Sequence, residues 1–192
     1  MDNSSPFSDR FNSIFGRNNK RRIESSLGSG VIFSSDGYVL TNQHVIGDTS
    51  LNVTVELSDG RKKEARIVGI DKGTDLAVLK IQENGGVPSM EIADSDKLKI
   101  GDIVLAIGNP YGLGQSVSMG IVSATGREVN NPYANYIQTD ASINKGNSGG
   151  ALIDTSGRLV GINTFITSSS GGSEGIGLAC LLYTSDAADD TP

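Results

Sequence analysis

From Gly28 onward the chain is built of short apolar runs separated by turn-forming residues. Val31-Ile32-Phe33 gives way to Ser34-Ser35-Asp36-Gly37, and Tyr38 to Thr41 is apolar again. An Asp-Gly step between two such runs is a strong hairpin signal, because a tight turn needs the positive φ that glycine supplies. Leu51, Val53, Val55 and Leu57 alternate with polar residues, the period of a strand with one buried face. A second turn at Asp59-Gly60 leads into Lys63 to Ile70, and Leu76 to Ile81 forms another run. Pro88 to Lys99 breaks the pattern and reads as a connector. The pattern then restarts: Ile103 to Ile107, Val117 to Ser123, Tyr136 to Thr139, Ala151 to Ile153 and Leu159 to Phe165, with a turn at Ser156-Gly157. Helical periodicity never exceeds a turn or two. Many short strands with turn chemistry between them predict an all-β protein, and the break predicts two lobes.

The two ends depart from this pattern. Residues 1–26 are polar apart from Phe7, Phe11, Ile14 and Phe15, which share one face of a short helix or sit in an irregular loop. Met1 to Lys20 lacks the apolar stretch of a signal peptide. Residues 180–192, Cys180 to Pro192, match one reading frame of a transposon-type sequencing adapter, so native sequence is expected to stop near Ala179. The expected division is a loop segment at 1–26, a first lobe at 27–95, a second at 96–179 and a non-native tail at 180–192.

Composition narrows the chemistry. The chain has 192 residues, 25 glycines and a formal charge of −6, which gives no electrostatic case for nucleic acid. The cluster Arg17, Lys20, Arg21 and Arg22 is most simply a solvated loop. One cysteine, Cys180, excludes an internal disulfide, and with a single histidine no metal site is expected.

Three segments carry candidate chemistry. His44 follows an apolar run in Thr41-Asn42-Gln43-His44-Val45; a histidine taken alone is more often structural. Asp75 precedes the run Leu76 to Ile81, where a carboxylate is costly to desolvate without a partner. An imidazole N–H would be one; a local turn cap is the alternative. Ser148 lies in Gly146-Asn147-Ser148-Gly149-Gly150, where glycines leave its hydroxyl open and the amides of Gly146, Asn147 and Ser148 are candidate oxyanion donors. A plain turn or anion nest is the competing reading, but the spacing is not that of a phosphate loop. Taken together, the order His44, Asp75, Ser148 is that of chymotrypsin-like proteases.

Leu27-Gly28-Ser29-Gly30-Val31-Ile32, Thr41 to Val45, Thr74 to Lys80, Ala106-Ile107-Gly108-Asn109-Pro110, Gln138 to Asn144, Gly146 to Leu152 and Gly175 to Ala179 closely resemble the HtrA (Deg) family of serine endoproteases. The resemblance runs from about Leu27 to Ala179. It implies a chymotrypsin-like double β-barrel with the active site in the cleft between the barrels. It also implies ATP-independent, cofactor-free cleavage of unfolded or misfolded proteins in the periplasm or cell envelope, by homotrimers or larger assemblies. His44 would be the general base, Asp75 its orienter and Ser148 the nucleophile, while Asn163, Thr164, Phe165 and Ile166 would border the substrate pocket. The loops near Gly112–Gln115, Gly126–Asn135, Ala141–Lys145 and Thr167–Gly172 are expected to switch between resting and active arrangements. The segment from Pro6 to Gly16 resembles an oligomer-contact loop. The family's first strand, its PDZ domains and a targeting segment are not found in this sequence. A catalytically silent, chaperone-like polypeptide-binding scaffold is the alternative function.

Overall fold

The computed structural model describes residues 28–47, 53–83, 85–109, 114–128, 135–144, 146–166 and 173–182. The expected N-terminal loop segment at 1–26, the tail beyond Leu182 and most of the expected switch loops lie outside them. Among the described residues, eleven strands run in chain order: β1 (Val31–Ser34), β2 (Tyr38–Asn42), β3 (Val53–Glu56), β4 (Lys62–Asp71), β5 (Leu76–Ile81), β6 (Ile103–Gly108), β7 (Ser116–Glu128), β8 (Asn135–Thr139), β9 (Ala151–Asp154), β10 (Leu159–Ile166) and β11 (Gly177–Leu181). A helical turn, α1 (Gln43–Ile46), follows β2 directly, and a short 3-10 turn spans Ser95–Lys97.

The strands form two bodies. The first is a five-stranded antiparallel sheet in the order β1-β2-β5-β4-β3; the second is a closed barrel, β10-β11-β8-β7-β6-β9. β5 alternates in burial along its length, so one face packs inward with β2 and β4 on either side. Val39, Leu79 and Ile81 are buried there against Ile32, Ile67 and the β3 valines. The barrel closes around Val104, Ala106, Val122, Ile137, Leu152 and Val160.

A third cluster joins the bodies. Val31 and Leu40 of the sheet pack with Ala151, Ile153, Leu159 and Ile162 of the barrel. The stretch expected to be a connector is stitched to both. Met90 N–H donates to the Ile32 carbonyl (2.8 Å), while Glu91 and Ala93 exchange main-chain bonds with Leu159 (2.8 Å each). The lobes are therefore fixed against each other by apolar contact and by the chain that links them.

β11 runs past the boundary expected at Ala179. Cys180 pairs with Tyr136 and Ile162, Leu181 pairs with Gly161, and both are buried, as is Leu182. Strand pairing uses main-chain groups and asks only that inward side chains be apolar. Cys180, Leu181 and Leu182 meet that requirement whatever their origin.

Candidate active site

β2 ends at Asn42, and α1 immediately lifts His44 out of the sheet at its edge. Across from it, the turn before β5 brings Asp75 to the same point. Asp75 is buried, and it is the one non-glycine among the described residues with positive φ, 59°. Aspartate tolerates this left-handed conformation better than most residues. The conformation lets both ends of Asp75 face α1. Its carbonyl accepts the Gln43 N–H (2.9 Å) and Asn42 Nδ2 (3.1 Å). Its carboxylate accepts the His44 main-chain N–H (3.0 Å) and, from the ring, Nδ1–H (2.5 Å). With one carboxylate oxygen on the backbone and the other on the ring, the imidazole is fixed in orientation and tautomer, and Nε2 is left as its basic nitrogen.

Ser148 sits in the loop between β8 and β9. Its hydroxyl donates to the Thr164 carbonyl (3.1 Å). Thr164 Oγ1 in turn accepts Asn42 Nδ2 (3.4 Å), the same amide that reaches Asp75. A chain of polar contacts thus connects Ser148 in the barrel to Asp75 and His44 in the sheet. The structure brings all three residues to the junction of the two bodies.

The loop's shape depends on glycine. Gly149 has φ +82°, and a Cβ there would lie 2.2 Å from the Ser29 carbonyl. Gly146, at φ +98°, makes the turn that precedes Ser148. Among the described residues no hydrogen bond uses the N–H of Gly146 or of Ser148. Asn147 differs. Its N–H donates to the Asn144 carbonyl (3.0 Å), which closes the turn.

The segment expected to border the substrate is largely enclosed. Asn163 faces the barrel interior: its Nδ2 donates to the carbonyls of Ile107 (3.1 Å) and Ala151 (2.9 Å). Its own N–H and carbonyl pair with Gly150 and Gly149. Thr164 is buried with its carbonyl toward Ser148, Phe165 packs edge-on against Tyr136 (5.4 Å), and Ile166 joins the barrel core. β10 shifts register between Asn163 and Phe165, a bulge that re-aims the backbone beside the site.

The single thiol takes no part. Burial pushes Cys180 up to about 12, and the Asp75 carboxylate's charge adds to the effect. It stays protonated and unreactive at neutral pH.

The sequence matches the trypsin-like peptidase domain over residues 28–162. The chain belongs to the trypsin-like peptidase family. Within it, the similar proteins are of the HtrA (Deg) type. A probable periplasmic serine protease do/HhoA-like from Haemophilus influenzae is 52% identical over 178 residues, covering 90% of this chain and 38% of the relative. Escherichia coli K12 supplies two more: the periplasmic serine endoprotease DegP, 53% identical over 80% of this chain and 33% of its own, and the serine endoprotease DegS, 52% identical over 88% and 49%. The solved structure of the HtrA-type protease AlgW with a decapeptide superposes with a TM-score of 0.78 at 54% identity, covering 86% of this chain and 51% of that one. This trypsin-like peptidase domain therefore spans between a third and about half of the length of the relatives it matches.

Sequence reasoning missed Ser29, Thr41 and Asn42 as parts of the site. Ser29 and Thr41 lie in motifs that carry the family resemblance, yet nothing local marks them. Their partners are Gly146 and Ser148 for Ser29, the Ser29 carbonyl for Thr41, and Thr164 for Asn42.

Proposed function

We propose that this chain is the proteolytic part of a serine endopeptidase that cleaves unfolded or misfolded polypeptide in the periplasm. The observation that carries the reading is the 2.5 Å contact from His44 Nδ1 to Asp75 Oδ2, set at the same junction as Ser148. His44 Nε2 takes the Ser148 proton as Oγ attacks the substrate carbonyl, and the Asp75 carboxylate stabilises the imidazolium so formed. For that step the Ser148 hydroxyl turns its hydrogen from the Thr164 carbonyl to the ring. The uncommitted amides of Gly146 and Ser148 receive the oxyanion of the tetrahedral intermediate. His44 then returns the proton to the leaving amine, and water hydrolyses the acyl-enzyme by the same route reversed. The main chain from Thr164 to Ile166 borders the bound peptide. The chemistry draws on neither ATP nor a cofactor.

Copies of the chain associate through the outer face of β6 and β7, a partnership in keeping with a homotrimer or a larger assembly. Four large apolar side chains stand exposed there, Ile103, Val117, Met119 and Ile121.

Ser148→Ala is expected to abolish casein hydrolysis, by roughly 10⁴-fold or more in kcat, with circular dichroism and melting unchanged. A phosphonofluoridate probe should label Ser148 in the parent and not in the variant. A parent that neither cleaves nor labels, yet keeps a denatured client from aggregating, would replace this reading with the scaffold one.

A further inference from the structure

Ser29, near the start of the first body, has its three polar atoms engaged in four hydrogen bonds, three of which reach the Ser148 loop or the end of β6. Its N–H donates to the Ser148 carbonyl (2.8 Å) and its hydroxyl to the Gly146 carbonyl (2.7 Å). The same hydroxyl accepts the Asn109 N–H (2.8 Å), and the Ser29 carbonyl accepts Thr41 Oγ1 (2.6 Å). With the Asn109 N–H on the oxygen and Thr41 bracing the backbone, the hydroxyl hydrogen is left for Gly146 alone. Ser29 and Gly146 are 117 residues apart, so this is a contact between the two bodies and not a local turn.

A peptide unit is planar, so holding its carbonyl also sets the direction of its N–H. The unit between Gly146 and Asn147 is held at both ends, by the Ser29 hydroxyl on its oxygen and by the Asn144 carbonyl on its N–H. The unit between Ser148 and Gly149 is held likewise, by the Ser29 N–H and by the Asn163 carbonyl, which accepts the Gly149 N–H (2.8 Å). Between these two lies the unit that carries the Ser148 N–H; its own carbonyl, that of Asn147, accepts the Gly150 N–H (2.9 Å), so its direction is set within a loop whose flanking units Ser29 anchors.

We propose that Ser29 is a positioning residue which, from the first body, holds the two peptide units that bracket the Ser148 amide and so keeps that oxyanion donor aimed. The inference rests on the serine-protease reading above. It adds that the Ser148 donor on the barrel is oriented from the first body, so that the oxyanion site is complete only while the two bodies are docked.

The test uses the full chain with Ser29→Ala, which removes the hydroxyl and keeps every main-chain bond, and Ser29→Thr, which keeps the hydroxyl. For Ser29→Ala, kcat on an unfolded substrate should fall about 10-fold, with KM within about 2-fold and labelling of Ser148 slowed in parallel. Ser29→Thr should recover most of both rates. Amide hydrogen exchange at Asn147 reads the same peptide unit without chemistry, and should quicken about 10-fold in Ser29→Ala and stay slow in Ser29→Thr. Parental kcat in Ser29→Ala overturns the proposal, and so does parental exchange at Asn147. A loss shared equally by Ser29→Thr, or divided between kcat and KM, marks a purely structural role and overturns it too. If the parent neither cleaves nor labels, the protease reading fails instead, while exchange at Asn147 still decides whether Ser29 holds the loop.

Discussion

At the scale of single residues, Asp75 combines the most constraints. A left-handed backbone at a non-glycine position costs about 1–3 kcal/mol and persists only where the surroundings over-determine it. Here four hydrogen bonds do so, from Asn42, Gln43 and twice from His44. All of them come from the end of β2 and the turn α1, so the strain is tied to presenting the imidazole. Asp75→Asn keeps the side chain's size and its main-chain bonds. Its amide end, however, either places an N–H against Nδ1 or accepts from it without a negative charge. The ring then favours the wrong tautomer or loses stabilisation of the imidazolium. The expected result is a fall in kcat of roughly 10⁴-fold with the fold intact. Steady-state kinetics beside circular dichroism checks both halves. A variant within about 10-fold of the parent would mean that Asp75 only caps its turn, at odds with the magnitude a triad carboxylate carries.

Among the elements, β10 links the site to the barrel. Asn163 crosses from β10 to two neighbouring strands: its amide serves a carbonyl on β6 and another on β9, while its main chain pairs with the glycines after Ser148. Asn163→Leu keeps the branched heavy-atom skeleton and leaves both carbonyls without that donor inside the barrel. The expected loss is about 2–4 kcal/mol of stability, read as a lower urea midpoint with an unchanged slope. β10 also marks the limit of what sequence reading reaches. β5 was legible because its alternation is a property of its own residues. The full length of β7 was not, because from Gly126 to Glu128 its side chains are polar and exposed, and only pairing with β8 makes them a strand. α1 is four residues long, too short for any helical period to register. The candidate triad was readable because each member sits in a distinctive local motif. Ser29, Asn42 and Asn163 each reach at least one partner more than fifty residues away, and nothing in their neighbours' identities records that.

For the molecule as a whole, the unresolved feature is an apolar face turned to water. Antiparallel pairing of β6 with β7 sets Ile103 opposite Ile121, Leu105 opposite Met119 and Ile107 opposite Val117, all on the side away from the barrel core. Met119 is 72% exposed, Val117 59%, Ile103 49% and Ile121 41%. Single exposed apolar residues are ordinary, but a contiguous block on one hairpin marks an interaction surface. The opposite face of the same strands fills the barrel with Val104, Ala106 and Val122, and on the outer face Leu105 and Ile107 pack against the cluster between the bodies, which leaves Ile103, Val117, Met119 and Ile121 as the part turned to water. A second and third copy of the chain would cover it at the cost of few polar groups, since the block itself carries no charge. The double variant Ile103→Glu, Met119→Glu separates association from folding. These side chains point into solvent, so the charges are tolerated in the monomer, with a change in stability of no more than about 0.5 kcal/mol. In an assembly they would be desolvated beside their own copies, which is strongly unfavourable. Sedimentation velocity across a concentration series should show the parent as a trimer or larger and the variant as a monomer with an unchanged melting temperature. A parent that stays monomeric at high concentration, or a variant that still assembles, would remove this face from the interface and leave the block without an occupant.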